Sequence, residues 1–132
     1  MISRRQAEAL SLCVFLLAAC STDETPPYPA AAFNGRWVGF FESSLGLLGC
    51  PTRGPMLVMV ENGVIDGDAE AESFAISISG TVGPDGAILD GVFRRDSRAA
   101  AVVTGTFLEN EAAGRWQGAS CEGLWSLRRV VR

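Results

Sequence analysis

A chain of 132 residues with a formal net charge of −4, no histidine and no lysine has room for one small core and not for two. The acidic balance argues against nucleic acid as a partner. The missing histidine removes the commonest metal ligand and general base, and the missing lysine removes Schiff-base chemistry.

At the start, Arg4 and Arg5 precede an apolar run from Leu10 to Cys20. As a helix that run spans about 17 Å, against about 30 Å for a hydrocarbon core, so it reads as a signal helix rather than a membrane span. An ordinary secretory signal with an Ala-x-Ala exit is an alternative, but it leaves the cysteine at the cut unexplained. The closing residues Leu17-Ala18-Ala19-Cys20 resemble the lipobox of bacterial lipoproteins. The resemblance implies diacylation of the Cys20 thiol, cleavage just before it, and a signal peptide over 1–19. Ser21 in the following position implies passage to the outer membrane, and several acyl chains on one cysteine make such an anchor stable. The chain is then expected in a bacterial cell envelope, held to the membrane through its N-terminal lipid.

Residues 20–32 run from Cys20 through Ser21-Thr22-Asp23-Glu24-Thr25 into Pro26, Pro27 and Pro29. Such a segment favours extended polyproline conformations and cannot bury a core, so it reads as a flexible tether. The globular part is 33–132. Removal of Cys13 with the signal and use of Cys20 for lipid leave Cys50 and Cys121 as a pair in an oxidising compartment. Their disulfide would close a loop of roughly 70 residues and contribute on the order of 4 kcal/mol in the chain-entropy model.

Every glycine lies between Gly35 and Gly123, and the apolar residues between them alternate, which is a β pattern. Strands are predicted at 36–42, 56–61, 64–70, 73–82, 87–94, 99–108, 112–118 and 122–130. Glu61-Asn62-Gly63-Val64 is a type I′ hairpin signal and Gly83-Pro84-Asp85-Gly86 is a second tight turn. Short connections make sequence neighbours spatial neighbours. The fold class is therefore all-β, an eight-stranded antiparallel up-and-down barrel, with a β-sandwich as the alternative. Gly39, Gly67, Gly91, Gly105 and Gly123 inside the predicted strands suit the bends of a small, strongly coiled barrel. Trp37, Gly39 and Phe41 share one face of the first strand, and Cys121, Gly123, Trp125 and Leu127 share one face of the last. Closure would set Trp37 and Trp125 into one end of the interior, with Trp116 nearby.

Gly35-Arg36-Trp37-x-Gly39 at one end, and Cys121-x-Gly123-x-Trp125-x-Leu127-x-Arg129 at the other, resemble small secreted bacterial barrels of the lipocalin-like (calycin) kind. The resemblance implies a closing cation–π contact between Trp37 and either Arg128 or Arg129. It also implies a non-enzymatic role in binding a small apolar or amphiphilic ligand. Envelope inhibitors of secreted metalloproteases share this fold, which makes a protein–protein role, as inhibitor or assembly component, the alternative.

Candidate ligand-lining residues are Val58, Val60, Phe74, Ile76, Ile78, Val92, Phe93, Val103 and Phe107, although an eight-stranded barrel is just wide enough for its own side chains to fill it. Leu45, Leu47 and Leu48 in the 43–53 loop form a candidate ligand or partner surface if exposed, and a lid or plug if the loop folds back over the barrel mouth. Asp66, Asp68, Glu70 and Glu72 alternate as one row, which reads as a solvated outer face because the glycine and glutamate spacing of an EF-hand is missing. Arg94, Arg95 and Arg98 mark a basic hairpin tip that reads as a soluble turn with local charge pairs, with contact to lipid phosphates as the alternative. Glu42, Glu61, Asp90 and Glu122 are scattered and mark no acid–base pair. No catalytic residue, metal ligand or cofactor is assigned.

Overall fold

The computed structural model describes residues 30–44 and 49–130. Cys20 and the three leucines Leu45, Leu47 and Leu48 lie outside the described residues. Eight strands follow in order: β1 (Gly35–Ser43), β2 (Arg53–Glu61), β3 (Val64–Glu70), β4 (Ala75–Val82), β5 (Ile88–Arg95), β6 (Arg98–Phe107), β7 (Glu111–Gly118) and β8 (Glu122–Arg129). Each pairs antiparallel with the next, and β1 pairs antiparallel with β8, so the sheet is a closed up-and-down barrel. The sandwich alternative is thereby set aside: closure leaves no sheet edge to hide.

All eight predicted strands are present, with ends shifted by what the ladder does. β2 starts earlier than expected because Arg53 still pairs with Glu42. β4 starts later because Ala71 N–H donates to Phe74 O at 2.9 Å and closes a turn there. Glu72 belongs to that turn and not to the carboxylate row. The Asn62-Gly63 hairpin is formed as its residues suggest, with φ of 50° and 85°, the left-handed pair that a type I′ turn requires.

The interior is dry. Among the described residues every buried side chain is apolar, and Trp37, Phe41, Phe107 and Val58 are buried almost completely. Outward positions on β3, Asp66, Asp68 and Glu70, are exposed; so are Glu111, Arg115 and Gln117 on β7. The outer faces of β3 and β7 thus carry charge, while the interior is apolar. Val92 departs from the expected lining. Its neighbour Phe93 points inward, and adjacent strand residues take opposite faces, so Val92 lies on the outer side.

The two terminal strands approach closely. A Cβ built on Gly39 would sit 1.9 Å from Ser126 O, and one on Gly123 would sit 1.9 Å from Glu42 O. Any side chain at either position would push β1 and β8 apart, so the seam requires glycine on both strands. The core, the seam and the disulfide all lie within residues 30–130, which makes the barrel a self-contained folding unit.

Candidate functional site

The barrel has two unlike ends. At the first, strands begin with β1 and the N-terminal segment enters. Phe33 is buried there against Phe107, with ring centroids 5.8 Å apart. Trp37 meets the same ring edge-on at 4.8 Å, and Trp125 joins at 6.3 Å. The indole of Trp37 is fully buried and its Nε1–H donates to Phe33 O at 3.0 Å. Over its ring lies the Arg129 guanidinium, 5.3 Å from the centroid. Arg129 Nη2 donates to Ala32 O at 2.9 Å and Asn34 O at 2.5 Å, and Nη1 donates to Glu109 O at 2.9 Å. Arg128, one residue earlier, is exposed on the opposite face. Of the two arginines, Arg129 is the one that closes this end.

Midway along the axis, Met56, Val58, Ile65, Ile78, Val103, Phe107 and Trp125 leave a void of only about 20 Å³, room for about one water in an apolar wall that would keep it dry. The middle of the barrel is filled by its own side chains.

The second end is different. Trp116 stands here, apart from Trp37 and Trp125, packed with Phe41 at 6.1 Å and Phe93 at 6.0 Å. Its Nε1–H donates to Glu42 O at 3.2 Å. The expected single group of three tryptophans is thus split between the two ends, because Trp116 pairs with Gly123 while Trp125 pairs with Gly114, further along the same seam. Cys50 and Cys121 are joined in a disulfide, with Cα atoms 5.6 Å apart across a sequence separation of 71. Below this disulfide opens a cleft of about 210 Å³, walled by Phe41, Phe74, Ile76, Phe93, Ala101 and Trp116 and rimmed by Gly49, Pro51, Arg95, Ser120 and Cys121. Arg95 lies over the Phe74 ring, 3.7 Å from its centroid.

Several sequence candidates do not converge here. Val58, Val60, Ile78, Val103 and Phe107 belong to the filled core. Asp66, Asp68 and Glu70 stand exposed on β3, and among the described residues no group of three carboxylates or cysteines is placed to hold a metal ion. Outside the barrel, Val38, Phe40, Leu57, Met59 and Leu124 form a partly exposed apolar band, interrupted where Arg53 covers Phe40 at 4.2 Å. Phe33 is the functional position that sequence reading passed over. Its signal was there: a lone large apolar residue between a proline-rich segment and the first strand.

The sequence matches no protein-family model and no curated protein. Function has to be read from the two ends themselves.

The closed end yields a direct expectation. Arg129→Met leaves three carbonyls without a donor and should lower stability by about 3 kcal/mol, measured by urea unfolding. Arg129→Lys should recover less than half of that loss, because one ammonium cannot reproduce a planar fork that stacks and donates in several directions. Wild-type stability in the lysine variant would contradict this role.

Proposed function

We propose that this protein is a non-enzymatic, lipid-anchored lipoprotein of a bacterial envelope that holds a small apolar or amphiphilic molecule at the disulfide end of a lipocalin-like barrel. The observation that carries the reading is the aromatic cleft beneath Cys50–Cys121. Among the described residues an apolar wall opens into a cleft at this end, where the middle of the barrel is packed shut, and a concave, mostly apolar site with a few polar rim groups is the usual form of a small-molecule site.

The placement of the anchor supports the same reading. The described chain enters at Ala30–Asn34, at the closed end, and the cleft opens at the other end of β1, nine residues away. With a tilted strand that is about 20 Å along the axis. A tether from Cys20 would join the barrel at the end opposite the cleft, so it would leave the opening unobstructed. The interaction-module alternative draws on the outer apolar band around Val38 and Leu57. That band is interrupted by charged residues, with Arg53 covering Phe40, and exposed apolar surface is ordinary on a folded protein.

Two measurements test the reading. The neutral fluorophore N-phenyl-1-naphthylamine should bind with saturation at one molecule per chain, and Ala101→Trp, which fills the cleft, should abolish that signal while the circular dichroism spectrum persists. Unsaturable binding, or binding indifferent to Ala101→Trp, would remove the cleft as a site. In cells, Cys20→Ala should leave an unprocessed chain without acyl groups, detected by mass spectrometry; cleavage before residue 20 in that variant contradicts the lipid anchor.

A further inference from the structure

We propose that the molecule held in the cleft is a small anionic amphiphile, with a ring or short chain among the aromatic residues and its negative head group on Arg95 and Arg98. This inference rests on the cleft reading above and adds the chemical class of the ligand.

Volume sets the first limit. About 210 Å³ exceeds the roughly 150 Å³ cavity that takes up benzene, and falls below the roughly 300 Å³ at which drug-sized pockets begin. The cleft seats one ring system or a short acyl segment, with the rest of a larger molecule standing out of its open mouth, and it does not enclose a whole membrane lipid.

Charge sets the second. In the β5–β6 hairpin Arg95 stands directly opposite Arg98. Directly opposed residues share a face, and like charges so placed repel. Arg95 is on the cleft side, since it lines the opening and covers Phe74, so Arg98 is on that side as well. Among the described residues the ion pair at this tip is feeble: Arg95 Nε and Asp96 Oδ2 are 4.0 Å apart with both side chains more than half exposed, a geometry worth little in water. Arg95 thus rims the apolar opening, with Arg98 directly opposite it across the hairpin.

Backbone strain sets the third. The turn joining them is Asp96-Ser97, with φ of 53° and 66°. Both residues sit in the left-handed region that two-residue hairpins normally fill with Asn-Gly, and neither is glycine. A like-charged pair and a strained turn are both unfavourable for folding, and both occur at the mouth of the open cleft. Destabilising features held together at one site by the surrounding structure are what a binding site maintains for its ligand. A carboxylate, sulfonate or phosphate monoester would relieve the repulsion by accepting from both guanidinium groups.

A matched pair of probes tests this on the soluble, oxidised chain from Ser21 onward. 1-Anilinonaphthalene-8-sulfonate and N-phenyl-1-naphthylamine share one ring system and differ in the sulfonate. The anionic probe should bind about tenfold more tightly at low salt, the scale of a charge-assisted hydrogen bond, and that preference should shrink as ionic strength rises. Arg95→Gln and Arg98→Gln should each cut the preference at least threefold. Arg94→Gln, which removes the same charge from the opposite face of the hairpin, should leave it intact. Equal affinity for the two probes overturns the head-group assignment and leaves the cleft standing. Failure of both probes to bind overturns the cleft as well. A preference lost equally in Arg94→Gln reflects net charge alone and overturns the assignment to Arg95 and Arg98.

Discussion

The seam between β1 and β8 is the constraint on which the structure depends. Every other strand pair joins neighbours in sequence, but this one brings together residues near the two ends of the domain, Trp37 with Arg129 and Ser43 with Gly123, and so carries the largest loop-closure entropy. Both ends of the seam are fastened. At one, the Arg129 guanidinium ties β8 to the entering chain and to the β6–β7 connection through three carbonyls. At the other, the disulfide joins the loop after β1 to the residue just before β8, with an expected contribution of about 4 kcal/mol from restricting the unfolded chain. Between the fastenings, Gly39 and Gly123 let the two strands approach at all.

Those fastenings differ in what they leave behind, and the difference creates the site. Arg129 closes its end by stacking on Trp37, whose indole in turn holds Phe33 in place, so the mouth is stoppered by side chains. A disulfide spans the other end without filling it. Trp116, Phe41 and Phe93, buried with the rest of the core, form the floor of a cleft there. The asymmetry also separates the entering chain from the opening, since that chain belongs to the stoppered end.

Most of the architecture was legible because strand periodicity is a strong signal when nearly every strand is buried on one face only, and because Asn62-Gly63 and Gly83-Pro84-Asp85-Gly86 announce their turns. Face assignment could be read wherever alternation was applied strictly: Gly123, Trp125 and Leu127 point inward, and two steps on that parity reaches Arg129 and skips Arg128. Where alternation was relaxed it failed. Val92 and Phe93 are adjacent and cannot both line the interior. Trp116 was misplaced for another reason: its end of the barrel depends on the register of β7 against β8, which neither strand's own sequence specifies. The open cleft was not legible at all, because whether an aromatic cluster packs shut or stays open depends on the summed volumes of residues from several strands.

The three tryptophans report on the two ends independently, and the most direct test is to follow their indole N–H signals by NMR during titration with N-phenyl-1-naphthylamine. The account predicts that the Trp116 signal moves while those of Trp37, beneath Arg129, and Trp125, in the filled middle of the barrel, do not. Movement of Trp37 or Trp125 with Trp116 unchanged would contradict it, since the ligand would then be entering the end that Arg129 closes.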